Sequence, residues 1–194
     1  MPDSIEIVPY RDQWPDEFRA LARRLREGLG EMALRIDHIG STSVPGLAAK
    51  DVVDIQVTVA SLEPIEPIQQ GLVRAGFALW EDIGEDHRPP GEEGPDEDWR
   101  KCYAREAPGQ KRTHVHIRAA GRRNQRYALL FRDYLRAHPL MAEAYARLKY
   151  QIAAFHPDDR IAYVEIKDPA VDLIALPAEE WAERTGWKLG PSDA

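Results

Sequence analysis

Apolar residues change their spacing several times along this chain, and each change marks an element. Residues 5–8 read as a short edge strand stopped at Pro9. Phe18, Leu21, Leu25 and Leu29 recur at helical spacing and predict an amphipathic helix ending near Gly30. Trp14-Pro15-Asp16-Glu17 opens it, since Pro is tolerated in a first turn and acids suit its positive end. Residues 35–39 read as a strand, and 40–50, rich in Gly, Ser and Pro, as a turn or one short helix. The run 52–59 is dense in β-branched residues and predicts a strand buried on both faces. A helix over 65–75 ends at Gly76, and a strand follows over 77–80. Strands at 99–105 and 113–118 flank a turn at Ala107-Pro108-Gly109. Beyond Gly121 the pattern turns helical over 124–137, 141–154 and 160–174, punctuated by His138-Pro139 and His156-Pro157-Asp158. Pro177 is expected to open a last short helix.

Strands and helices mixed first, helices alone afterwards, predict an α+β protein: a small mixed sheet backed by helices, with a C-terminal helical cap. The expected organisation is an α/β core over 1–122, a cap of the same domain over 123–176, and a tail with a short helix over 177–194. A length of 194 residues suits one such domain and needs no covalent staples. Cys102 is the single cysteine, which excludes an internal disulfide and a thiolate zinc site. The segment Met1-Pro2-Asp3-Ser4-Ile5-Glu6 lacks a basic region followed by an apolar run, and no stretch approaches ~18 uncharged apolar residues. The expectation is a cytoplasmic protein without membrane contact.

A net charge of −7 argues against nonspecific nucleic-acid binding, which rests on neutralising phosphates. The charge is unevenly spread. Residues 81–98 hold nine carboxylates and one Arg, while 100–126 hold nine Lys or Arg and one Glu. The acidic Pro/Gly stretch has the composition of a mobile insert. The basic stretch reads either as solvated surface or as a wall over an anionic ligand.

Three places could carry chemistry. In His38-Ile39-Gly40-Ser41-Thr42-Ser43-Val44-Pro45-Gly46 a strand ends in a turn whose N–H groups and hydroxyls suit an anion, although Ser and Thr are also ordinary helix caps. In Val53-Asp54-Ile55-Gln56-Val57 an Asp interrupts an apolar strand, which is costly unless it is paired or bound to metal. Asp54 and Gln56 share a face because strand side chains alternate. In Thr113-His114-Val115-His116-Ile117 both His share one face, at a spacing suited to one metal, one substrate, or mere packing.

Together these residues resemble the signature of the GrpB family. The resemblance runs through residues 37–47, Ala49-Lys50 and Val53-Asp54-Ile55 to His114-Val115-His116-Ile117. It continues in Phe131-Arg132-Asp133-Tyr134-Leu135-Arg136, His138-Pro139, Tyr163 and Lys167, and so covers nearly the whole chain from Ile5 to about Leu176. It implies a nucleotidyltransferase-like fold, in which a Gly-Ser turn holds nucleotide phosphates and strand carboxylates hold two Mg²⁺ ions. Gly40, Ser41 and Asp54 match that scheme; Gln56 stands where a second carboxylate is expected, and His114 and His116 where a third is. One carboxylate with two imidazoles moves the expected metal from Mg toward Zn, Mn, Fe or Ni.

The expected function is recognition of a nucleotide or phosphorylated metabolite, with nucleotidyl or phosphoryl transfer that depends on a divalent metal (Mg, Mn or Zn). Asp54 and His116 are the catalytic candidates, and Asp54, His114 and His116 the metal candidates. Gly40, Ser41, Thr42, Ser43, Lys50, Arg112, Tyr163 and Lys167 are the expected phosphate- or nucleotide-binding residues, with Lys111 placed to meet the same anion. Two alternatives use the same residues: a noncatalytic ligand- or partner-binding domain that lost the two-metal site, and a metal-dependent phosphoester hydrolase.

Overall fold

A computed structural model describes residues 4–80 and 82–194. Residues 1–3 of the N-terminal run and residue 81 of the acidic run lie outside that description. Helix α1 (Trp14–Leu29) is followed by β1 (Arg35–Ile39), β2 (Val53–Val59), α2 (Ile65–Arg74), β3 (Phe77–Leu79), β4 (Cys102–Glu106) and β5 (Thr113–Ala119). Three helices close the chain: α3 (Arg123–Ala137), α4 (Pro139–Phe155) and α5 (Arg160–Thr185). The strands form one five-stranded sheet in the order β1-β2-β5-β4-β3. Its central pair, β2 and β5, is parallel, and every other pair is antiparallel.

The sheet separates two unlike layers. On one face Val53, Ile55, Val57 and Val59 of β2 meet Phe18, Leu21, Leu25 and Leu29 of α1 and Ile68 and Leu72 of α2 in an apolar core. The alternate β2 residues, Asp54, Gln56 and Thr58, lie on the opposite face, where α3 packs across the sheet. Helices α3, α4 and α5 bury their own cluster around Leu130, Tyr134, Leu135, Tyr145 and Ile174. The polar face of β2 and β5 is thus roofed by helices, and its charges must be paired or used.

Several elements differ from the expectation. Residues 5–8 form no strand; only Val8 bridges, to Ala49, in the 40–50 connection. Pro177 does not open a new helix, because α5 runs on to Thr185 with both Pro169 and Pro177 inside it. Each proline removes one backbone donor, yet packing of Ile174, Ala175, Ala178 and Ala182 carries the helix through. The expected break between cap and tail at 176 therefore falls within one helix. The acidic stretch is tied down at several points rather than loose. Asp86 accepts from Arg118 Nε at 2.7 Å and from Lys101 Nζ at 2.7 Å, and Asp98 from Arg122 at 3.1 Å. Glu92 pairs with Arg123, and His87 Nε2 lies 2.9 Å from Asp172 Oδ1 on α5. The acidic and basic runs cancel each other locally, so most of the basic run is not available to a ligand.

Candidate functional site

The parallel register sets Asp54 beside His114 and Gln56 beside His116. Asp54 Oδ1 lies 3.0 Å from His114 Nδ1 and 3.9 Å from His116 Nε2. One ligand atom from each of the three residues falls within 4.8 Å of the others, and among the described residues this is the cluster that could hold a metal ion. Donors about 2.0–2.2 Å from a tetrahedral ion stand about 3.3–3.6 Å apart, between the Asp54–His114 and Asp54–His116 separations. The His116 Nδ1 is buried without a hydrogen-bond partner among the described residues, while its Nε2 is the atom that faces Asp54. Tyr103, opposite His116 on β4, sets its ring 5.5 Å from His114 and 5.3 Å from His116 and fixes both imidazoles from the side.

Electrostatics prepares the cluster for a cation. Burial works to raise the Asp54 carboxyl, but the adjoining His114 and His116 outweigh it and hold the group well below the usual carboxylate range. Burial, reinforced by the charges of Arg118 and Lys101, pushes His116 down to about 4, although Asp54 works to raise it. At neutral pH the cluster therefore presents an ionised carboxylate beside a neutral His116 ring, the forms that bind metal.

Gly40 is positioned against this carboxylate. It has φ +68°, and a Cβ built on it would lie 2.3 Å from Asp54 Oδ2. The glycine thus serves both the turn and the close approach of backbone to Asp54. The hydroxyls that follow are more committed than an open cradle would need. Ser43 Oγ donates to Gly40 O at 2.6 Å, and Thr42 Oγ1 lies 3.0 Å from His38 Nε2. Burial pushes His38 down to about 3, so it is a neutral ring, stacked 4.7 Å from Phe18. Ser41 Oγ accepts from Lys149 Nζ at 2.9 Å.

Asp54, His114 and His116 line a cavity of about 370 Å³ together with Gly40, Ser41, Thr42, Lys50, Tyr163 and Lys167. Ser43 does not line it, and Arg112 faces an adjoining cleft instead. Lys50 Nζ sits 4.6 Å over the Tyr163 ring, and Lys167 is held by Asp168 at 2.7 Å. Gln56 is not free to act as a ligand. Its Nε2 donates to Gln125 O at 3.0 Å, and its Oε1 accepts from Arg118 at 2.5 Å. Arg118 in turn is clamped by Asp86, which its cationic neighbours hold well below the usual range against the opposing effect of burial.

Sequence reasoning missed the residues that the helical layer delivers: Tyr127, Phe131, Tyr145 and Val171, which give the cavity an apolar wall, and Lys149. Lys149 is buried to 3% exposure, donates also to Ala48 O, and sits 4.7 Å over the Tyr145 ring. Burial and the charge of Lys167 push its amine down to about 7. A signal existed: Lys149 falls on the inward stripe of α4 with Ala142, Tyr145 and Ile152, where an unpaired Lys is out of place.

A five-stranded mixed sheet with α1 and α2 on one face, α3 to α5 on the other, and an Asp/His/His cluster under the helical roof defines an α+β protein whose cavity could hold a metal ion. The family model described as "GrpB protein" matches residues 4–175, and the chain belongs to that family. The crystal structure of the conserved protein GrpB from Enterococcus faecalis is similar, with a TM-score of 0.75 and 32% identity over 91% of this chain and 99% of that one. The protein YqkA of Bacillus subtilis is 37% identical over 98% of this chain and 50% of its own length. A protein named dephospho-CoA kinase in Mycolicibacterium paratuberculosis is 36% identical over 95% of this chain and 48% of its own length. The chain spans about half the length of these two curated relatives. Among the described residues no helix is long and apolar enough to cross a membrane.

Proposed function

We propose that this protein binds a nucleotide or phosphorylated metabolite at Asp54, His114 and His116 through a divalent metal, and transfers its nucleotidyl or phosphoryl group. The observation that carries the reading is the convergence of these three side chains within 4.8 Å, on the lining of a cavity large enough for a small ligand. Two imidazoles and one carboxylate suit Zn or Mn better than Mg, which prefers oxygen donors. When bound, such an ion neutralises phosphate charge and activates an attacking hydroxyl or water. The protein's own residues do the rest. Gly40 lets the turn close on the carboxylate, Ser41 and Lys149 offer polar groups to the ligand, and Tyr127, Phe131 and Tyr145 exclude water from its organic part.

A second reading, a ligand-binding domain without transfer, is favoured by one observation. The position expected to hold a second carboxylate is Gln56, already bonded to Arg118 and Gln125. The phosphoryl transfer in the mycobacterial relative's name belongs to a protein about twice as long as the match; it agrees with the ligand class and supplies no residue here.

Metal analysis of untagged protein, followed by melting curves with nucleotides and phosphate esters, tests the proposal. About one equivalent of Zn or Mn is expected, lost in Asp54→Asn and in His116→Ala. A ligand at ~100 times its dissociation constant adds about 2.7 kcal/mol to stability and shifts the melting curve visibly. Wild-type protein that takes up no metal, and whose melting curve no phosphorylated compound moves, would end the reading. Binding without turnover of any such compound would favour the noncatalytic domain.

A further inference from the structure

The cavity holding Asp54 opens onto a second cleft of about 480 Å³, and Lys50, His114 and Tyr163 line both. The first carries the aromatic wall. The second is basic: six Lys or Arg side chains line it against Glu6 and Asp51, in a protein of net charge −7. Asp51 already has its partners, Arg11 at 2.7 Å and Lys111. Lys50 and Arg112 form no ion pair or side-chain hydrogen bond among the described residues; Lys50 sits 4.6 Å over the Tyr163 ring, and Asp54 is the carboxylate whose charge reaches it. Arg105 stacks 5.1 Å over Trp80 and reaches Glu106 only at 3.9 Å. Elsewhere in the basic run the cations are answered: Arg118, Arg122, Arg123 and Arg126 all pair with acids. Lys50 and Arg112, without an ion pair at one cleft where they repel one another, mark a place for an anion.

We propose that this cleft is the polyphosphate subsite of the Asp54 site. The ligand sets its organic group against Tyr127, Phe131 and Tyr145 and its di- or triphosphate against Lys50, Arg112 and Arg105, with His114 at the junction. The inference rests on the reading of the Asp54 cavity as a phosphorylated-ligand site, and adds which end of the ligand lies where and that it carries more than one phosphate. Two observations decide against the turn at 41–43 as the main phosphate holder. Its Thr42 and Ser43 hydroxyls are engaged by His38 and by the Gly40 carbonyl. Three monovalent cations also match a diphosphate or triphosphate better than a single phosphate, and Arg makes the stronger, forked bonds to it. Burial depresses the Lys50 amine; Asp54 works to raise it, and the charges of Lys167, Arg112 and Arg160 push it further down, a crowding that a bound anion relieves.

Calorimetric titration of chelator-treated protein with inorganic tripolyphosphate, against orthophosphate, tests it. Tripolyphosphate is expected to bind at least tenfold more tightly than orthophosphate. Arg112→Ala and Lys50→Ala should each weaken it about tenfold or more, and Arg112→Lys should recover part of the loss. Asp54→Asn should leave it undiminished, since that change removes a negative charge nearby. Tripolyphosphate that fails to bind, binds no better than orthophosphate, or binds Arg112→Ala as well as wild type would overturn the subsite. A single-stranded oligonucleotide binding more tightly than tripolyphosphate would overturn it too, in favour of a nucleic-acid surface. Metal uptake is a separate readout that Arg112→Ala should not alter. Failure of metal uptake together with the melting shifts sinks the Asp54 reading, and loss of the tripolyphosphate result alone sinks the subsite.

Discussion

Gly40 and Lys149 bear most directly on the chemistry, and each supports a measurement. Alanine at Gly40 would meet both a positive φ of +68° and a carboxylate oxygen 2.3 Å from its Cβ. A backbone at φ +68°, ψ −174° is almost confined to glycine and costs another residue roughly 1–3 kcal/mol, and relieving the overlap moves either the turn or Asp54. Gly40→Ala should therefore lower stability by about 1–3 kcal/mol and weaken metal uptake at least tenfold; unchanged uptake would show that Asp54 is not held by this contact. Lys149 titrates at 10.5 in an unfolded reference and near 7 when folded. Between those values the unfolded chain binds the extra proton, so this group makes stability rise with pH. Below about 7 both states are charged, and the cost of burying the ammonium is felt in full. Urea unfolding at about pH 6.5 and 9.5 should show wild type gaining roughly 3 kcal/mol relative to Lys149→Met, at about 1.4 kcal/mol per pH unit. A parallel pair of curves would mean that Lys149 stays charged.

At the scale of elements, contact between helices rests on glycines that helical patterning alone would not favour. Gly28 of α1 would place a Cβ 2.4 Å from Gly71 O and 2.8 Å from the Ala75 Cβ. Replacing Gly by Ala inside a helix contributes about 1 kcal/mol through propensity, while forcing two packed helices apart costs roughly 1–3 kcal/mol. Overlap at backbone cannot be relieved by a rotamer, so the second effect wins and Gly28→Ala should lower the urea midpoint. A raised midpoint would show that α1 and α2 can slide apart freely. The same scale explains α5: its two prolines made a break at 176–177 the natural reading, and burial of Ile174, Ala178 and Ala182 against α3 and α4 overrode it.

Over the whole molecule, the open edge of β1 is closed by the far end of the chain. Ile36 N donates to Ser192 Oγ at 2.9 Å, His38 N to Asp193 Oδ2 at 2.9 Å, and Ala194 N to Ile36 O at 3.1 Å. Arg132, buried to 5% exposure, donates to Asp193 Oδ2 at 2.7 Å. Removing residues 190–194 would leave strand donors bare and a buried guanidinium short of one acceptor. The expected loss is about 2–4 kcal/mol, with self-association through the bared edge visible by light scattering. Unchanged stability would show the tail to be a loose cover.

Local pattern was enough for the parts of this protein that depend on neighbouring residues. Periodicities of 3.6 and 2 place α1, β1, β2, α2 and β5, because each element buries one face and its residues say which. Alternation alone puts Asp54 on the face of Gln56, and His114 on that of His116. That the two pairs stand side by side required β2 and β5 to run parallel in register, a pairing of residues about 60 positions apart that no local signal states. Tertiary structure alone decided how the charges are spent. The acidic run folds back on the basic one, Gln56 is taken by Arg118, and Lys50 and Arg112 are left facing an open cleft. Composition counts charges, but only the folded chain determines which of them meet; the same packing brings Lys149 and the aromatic wall of α3 and α4 over the site, because helices distant in sequence must bury their stripes against the sheet's polar face.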